Sequence, residues 1–183
     1  LGAWDQAIAA AAPNEPLVIV GHSLGGVTSF DLLSAFRPDL MVDLFVSVGS
    51  QVSHFEEMKL FRSSRPDIPS AATQRAPKPP NIRHWINVLD EVDIFSYACE
   101  RVFDGVRDLA YDTRTYVIKA HGAYFQQARF YQRLRARIDE LPAGCAGRPP
   151  AHCRRRPLSC VARSSRRPLP SPGGHDDRRR SRA

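Results

Sequence analysis

Short apolar runs alternating with segments of helical period predict an α/β fold: a parallel sheet with helices on both faces. Three observations carry this. "PLVIV" (residues 16–20) is continuous, apolar and rich in β-branched residues, the pattern of a strand covered on both sides. "GGVTSFDLLSAF" (25–36) then sets Val27, Phe30, Leu33 and Phe36 at helical spacing and is closed off by Pro38. "VDLFVSVGS" (42–50) repeats the character of the first strand, so strand, helix and strand follow one another as in a crossover unit.

The remaining elements follow in order. "LGAWDQAIAAAA" (1–12) is built of strong helix formers up to the breaks at Pro13 and Pro16, which predicts a helix ending in a turn. "HFEEMKLF" (54–61) reads as a short helix, and residues 62–81 form a Pro-rich, aromatic-free loop. That loop is either a lid over the carboxyl end of the sheet, where α/β folds bind ligands, or a plain connector. "IRHWINVL" (82–89) is the next strand and "TYVIK" (115–119) a further one, with mixed signals between them. "AYFQQARFYQRLRARIDEL" (123–141) predicts an amphipathic helix with Tyr124, Phe125, Ala128, Tyr131, Leu134 and Ile138 on one face.

Charge divides the chain at the same place as pattern. Through residue 140 there are 15 Lys+Arg against 17 Asp+Glu; beyond it there are 11 Arg, no Lys and 2 Asp, so the whole-chain charge of +7 comes from the tail. From Pro142 on the chain has seven Pro, no aromatic residue and no sustained period, and cannot bury enough surface to offset its chain entropy. Residues 141–183 are therefore expected to be a disordered Arg/Pro-rich tail. Its abrupt start suggests that it lies outside the domain or is read in a shifted frame.

Several functional classes are disfavoured. No run approaches the roughly 18 apolar residues of a membrane span, and the chain reads as soluble. No charged start, apolar stretch and small-residue cleavage site is visible, which favours a cytoplasmic location while leaving a leader before Leu1 open. Cys99 stands alone in the body, and Cys145, Cys153 and Cys160 have no zinc-ligand spacing, so no metal and no cofactor is expected. A basic tail could hold nucleic acid or an acidic partner, but it lacks aromatics for stacking and the acidic body would not extend the patch. The oligomeric state is not readable.

The chemistry is concentrated in Gly21-His22-Ser23-Leu24-Gly25-Gly26, which fits G-x-S-x-G directly after a strand and directly before a helix. At so sharp a turn the serine adopts strained backbone geometry. Glycine at 21 and 25 is expected to relieve collisions beside it, and Gly26 to let the helix pack near the strand. The Ser23 hydroxyl then stands above the sheet, where the Leu24 N–H can face a developing oxyanion. The alternative is a glycine-rich turn that only joins strand to helix. Phosphate-loop patterns are unmet.

"GHSLGG" after "LVIV" resembles the nucleophile elbow of the α/β-hydrolase superfamily, in its lipase and esterase-like branches. The resemblance covers residues 1–140 and implies a catalytic order of serine, acid, histidine. The strand "IRHWINVL" runs into "DEVDIFS", similar to the family's W-x-N…D-x-x-D stretch, which points to Asp93 as the acid, with Asp90 as the alternative. His121, in "AHGAYF", is the body histidine downstream of both, and the resemblance implies that it is the base. His22, His54 and His84 precede the acid or lie in the elbow.

The implied activity is hydrolysis of an ester or related acyl bond, in a small-molecule or lipid ester substrate. The resemblance also implies strands before the nucleophile strand and a second oxyanion N–H from a loop among them. Residues 1–140 thus read as the C-terminal portion of a hydrolase domain, an incomplete fold of reduced or no activity with an open apolar edge on "LVIV". A non-catalytic truncated remnant is the competing expectation.

Overall fold

The computed structural model describes residues 2, 5, 6, 8, 16–69, 71 and 73–140; the expected tail lies outside the described residues. Gly2, Asp5, Gln6 and Ile8 are helical, in agreement with the predicted first helix, and Asp5 pairs with Arg37 at 2.6 Å.

The described strands are β1 (Val18–His22), β2 (Val42–Val48), β3 (Ala76–Pro77), β4 (Ile82–Leu89), β5 (Phe103–Asp104) and β6 (Val106–Ala110). The helices are α1 (Leu24–Asp31), α2 (Val52–Glu57), α3 (Val117–Ala123) and α4 (Ala128–Asp139). Strands β1, β2, β4 and β6 make one sheet in that order, parallel throughout, and β3 and β5 pair as a small separate ladder. This is the α/β class the patterning predicts.

Both faces are covered at β2 and β4, which is why these strands are rich in buried Val, Ile, Leu, Phe and Trp, whereas β1, expected to be covered on both sides, leaves Val18 and Val20 41% and 47% exposed. On one face Phe45 and Trp85 pack with Val27, Phe30 and Leu33 below α1 and with Phe61, Ile68 and Phe103. On the other, Leu44, Val46, Val48, Ile86 and Val88 pack with Tyr111, Tyr124 and Phe130.

A buried polar line crosses the sheet. Trp85 Nε1 donates to Ser47 Oγ at 2.9 Å, Ser47 Oγ donates to Asn87 Oδ1 at 2.7 Å, and Asn87 Nδ2 donates to Asp108 Oδ1 at 2.8 Å and to the Tyr97 carbonyl at 2.9 Å. Asp108 in turn accepts from the Cys99 and Glu100 N–H groups at 3.0 and 3.1 Å. Every polar atom in this line has a partner, so burying it ties β2, β4, β6 and residues 97–100 together without an orphaned group.

Three elements differ from the sequence expectation. "TYVIK" is not a strand: Tyr116 is extended and residues from Val117 on are helical, with Val117 and Ile118 exposed. The fourth sheet position belongs instead to β6, "VRDLA", which pairs with Trp85–Leu89 of β4. The β-branched run was the misleading signal, since what packs in α3 is Ala120 and Ala123.

The second difference is in the predicted helix over 123–141, which breaks at Gln127 (φ −116°, ψ 120°) into a 3₁₀ turn, Tyr124–Gln126, and α4. The Gln127 side chain holds that break, donating to the Thr113 carbonyl at 2.8 Å and accepting from the Tyr111 hydroxyl at 2.9 Å. The break resets the helical phase. Phe130, Leu134 and Ile138 turn inward, while Ala128 and Tyr131 face outward.

Third, α1 does not run on to Phe36 as a regular helix. Leu32–Phe36 is a π turn closed by the Arg37 N–H on the Leu32 carbonyl at 2.7 Å.

Within the Pro-rich loop Ile68 and Ala76 enter the α1-side core, and the loop borders a cavity of about 420 Å³ with Phe30, Ser34 and Phe103; none of that cavity's lining residues is Ser23, Asp93 or His121.

Candidate functional site

The parallel sheet carries three loops to its carboxyl end, and each brings one of the predicted residues. The first leaves β1. Ser23, between β1 and α1, has φ 53° and ψ −128°, a conformation that non-glycine residues adopt only under constraint. The constraint is visible: the Ser23 N–H donates to the Val48 carbonyl at 2.9 Å, and its own carbonyl accepts from Ser50 Oγ at 2.7 Å and the Gly26 N–H at 3.0 Å.

Glycine makes room for this turn at two positions. A Cβ on Gly21 would stand 2.7 Å from the Gly26 Cα, and one on Gly26 would stand 2.4 Å from Ser50 Oγ. Gly25 departs from expectation, because nothing lies within 4 Å of where its Cβ would be. The chain crosses the strand at the third residue of α1, and the second points into open space. Leu24 begins α1, so its N–H belongs to the first helical turn, whose N–H groups have no partner within the helix.

The second loop follows β4. Its two buried aspartates separate cleanly by what they hold. Asp90 accepts from the Val92 N–H at 3.1 Å and the Thr113 N–H at 2.7 Å, and so joins this loop to the segment after β6. Asp93 accepts from the Phe95 N–H at 3.0 Å and the Tyr124 hydroxyl at 2.9 Å, and its side chain is fully buried.

The third loop leads into α3, which holds His121. Its Nδ1 lies 3.1 and 3.0 Å from the two Asp93 oxygens, and its Nε2 lies 2.8 Å from Ser23 Oγ. A carboxylate only accepts, so Nδ1 carries the proton that it donates to Asp93. Nε2 is then the acceptor for the Ser23 hydroxyl. Ser23, His121 and Asp93, scattered over 99 residues, thus form one hydrogen-bonded line. Asp90 is not in it.

No family model, curated protein or solved structure matches this chain. The site is therefore read from its own geometry.

Two neighbours lock the imidazole. His22 Nε2 donates to the His121 carbonyl at 2.8 Å and its ring lies 4.7 Å from the His121 ring; Phe95 meets the same ring edge-on at 4.9 Å. An imidazole held by its backbone, both nitrogens and its ring faces is oriented in advance.

Gly49, at φ 52°, serves the acid. A Cβ there would come within 2.9 Å of both Asp93 Oδ2 and Tyr124 Cε2, so only a glycine leaves space for that pair.

Leu24 next to Ser23 in sequence, Ile94 and Phe95 next to Asp93, and Tyr116, Val117 and Ile118 shortly before His121 are all exposed apolar or aromatic residues, Ile118 at 86%. Among the described residues no group of His, Cys, Asp and Glu side chains could hold a metal ion, and no helix is long and apolar enough to cross a membrane.

Sequence reasoning missed Tyr124, Gly49, Ser50 and the bonding role of His22. For His22 the signal was its place inside the elbow. Tyr124 read as one apolar position on a helix face, and only the fold reveals where its hydroxyl goes.

Proposed function

We propose that this chain is a serine hydrolase of the α/β-hydrolase type that cleaves an ester or related acyl bond. The observation that carries the proposal is the unbroken line from Ser23 Oγ through His121 to Asp93. His121 Nε2 takes the hydroxyl proton as Ser23 Oγ bonds to the acyl carbon. Asp93 keeps the imidazole in the tautomer that can accept, and its charge offsets the imidazolium. The Leu24 N–H stabilises the oxyanion. Collapse of the tetrahedral adduct breaks the bond to the leaving group, which leaves with the proton from His121. Water, deprotonated by the same nitrogen, then releases the acid and restores Ser23.

The exposed Leu24, Ile94, Phe95 and Ile118, close in sequence to Ser23, Asp93 and His121, support esters with apolar acyl chains, small or lipid, over charged substrates. The resemblance assigns a second oxyanion donor to a loop before the nucleophile strand, and one such donor contributes about 2.7–4 kcal/mol. The non-catalytic reading gains support from the exposed Val18 and Val20 on β1, a strand the resemblance would place inside the sheet.

The test is hydrolysis of p-nitrophenyl esters of two to twelve acyl carbons by the full chain. Turnover that rises with chain length and disappears in Ser23→Ala is expected. Turnover equal in Ser23→Ala and the parent chain would overturn the proposal.

A further inference from the structure

Asp93 has more to do than hold His121. Its Oδ2 is shared between two donors, the His121 ring at 3.0 Å and the Tyr124 hydroxyl at 2.9 Å. Tyr124 is fully buried and His121 partly so, and they come from the same stretch of chain, three residues apart across the junction of α3 and its 3₁₀ turn. The base segment is therefore fastened to the acid twice. We propose, on the reading of Ser23, His121 and Asp93 given above, that Tyr124 is a positioning residue whose hydroxyl sets how much of the Asp93 charge is left to face His121.

Packing alone would not need the hydroxyl. The Tyr124 ring is fully buried between the ring of Phe130 from α4, that of Tyr111 at the end of β6 and that of His22 from β1, and a phenylalanine would fill the same space. What the hydroxyl adds is a bond to the one carboxylate on which the base depends, at a spot kept open by Gly49. The charged and titratable groups facing it are Asp93 and Asp90 from the loop after β4, His22 and Tyr111, with the Ser96 hydroxyl alongside. Burial, with the nearby carboxylates adding to it, pushes the phenol above its ordinary range, so it remains a donor wherever a histidine titrates.

The physical consequence has a definite sign. A donor on Asp93 draws off negative charge that would otherwise stabilise the His121 imidazolium. Removing that donor makes His121 more basic, so more of it is protonated, and unable to accept from Ser23, at neutral pH. A purely structural residue would slow the reaction at every pH alike.

The experiment is a histidine-ring NMR titration of the full chain, with the His121 signal assigned by its absence in His121→Gln. Tyr124→Phe is expected to raise the His121 midpoint by about half a pH unit or more. Replacing Tyr124 by 3-fluorotyrosine, a stronger donor with an unchanged ring fold, is expected to lower it. Reaction of Ser23 with a fluorophosphonate should slow about threefold or more at pH 6 in Tyr124→Phe and match the parent at pH 9. A His121 midpoint that stays put or falls in Tyr124→Phe overturns the proposal, and so does a loss of rate that is equal at both pH values. The titration does not depend on Ser23 reacting. An inert Ser23 with a shifted His121 would therefore overturn the hydrolase reading and leave the role of Tyr124 standing.

Discussion

The two edges of the sheet are built on opposite principles. Strand β6 is an edge by composition: "VRDLA" carries Arg107 beside Glu140 and places Asp108 in the buried line that reaches back to β2. Strand β1 is an edge, among the described residues, by position only. It holds no Asp, Glu, Lys or Arg, and Val18 and Val20 are 41% and 47% exposed where their neighbours Leu44 and Val46 on β2 are buried. Charged residues protect an exposed strand from pairing with another chain, and an apolar strand lacks that protection. The site straddles this contrast. The proposed acid and base belong to the closed side and the proposed nucleophile to the open one, where Gly21, Gly26, Ser50 and the Val48 carbonyl hold the Ser23 turn.

The sharpest way to break the contrast is on the closed side. Asp93→Asn is expected to lower the rate of Ser23 phosphonylation by about 10⁴-fold, because the amide can present its N–H to His121 and so favour the wrong tautomer. Asp90→Asn should leave the rate within about tenfold and lower stability by about 1–3 kcal/mol through its bonds to Val92 and Thr113, read from parallel labelling and urea unfolding. Equal rates for the two variants would contradict the assignment.

Next in size is a test of the edges themselves. Asp108→Ala strips the acceptor from Asn87, Cys99 and Glu100, and should cost about 2–4 kcal/mol. Val20→Lys on the open edge should change stability by less than about 0.5 kcal/mol while reducing self-association in sedimentation runs.

The elbow offers a smaller contrast within α1. Gly26→Ala meets Ser50 and should destabilise by about 1–3 kcal/mol, whereas Gly25→Ala meets nothing and should stabilise by up to about 1 kcal/mol. Opposite signs in thermal melting are the expected result.

The smallest effect is in pH. Burial raises the Cys99 thiol and the Tyr124 phenol above their ordinary values, so each releases its proton more readily in the unfolded chain. Their contribution to stability is full below about pH 8.5 and is lost as pH rises beyond it, at up to about 1.4 kcal/mol per unit for each group as it begins to ionise in the unfolded state. Melting from pH 7 to 10 should show a decline that Cys99→Ala makes shallower.

Strands β1, β2 and β4 were readable from their short runs of β-branched and apolar residues, β1 even though Val18 and Val20 are half-exposed, and the elbow because its spacing survives without any structure. Strand β6 was hidden by the charges that make it an edge. "TYVIK" misled because Val117 and Ile118 are apolar without being buried. The order Ser23, Asp93, His121 was legible, yet choosing between Asp93 and Asp90 needed the resemblance; both are buried acids at the end of one strand, and only their partners tell them apart. Tyr124 could not be found from the chain at all, since a hydroxyl on an apolar face gives no sign of which carboxylate it meets.

The central claim is that Ser23 is a nucleophile activated by His121. Its most direct test is to treat the folded full chain with a fluorophosphonate and locate the adduct by peptide mass spectrometry. The account predicts an adduct on Ser23 that is lost in His121→Ala with the fold intact by circular dichroism; a folded parent chain with no adduct on Ser23, or one that persists undiminished in His121→Ala, would contradict it.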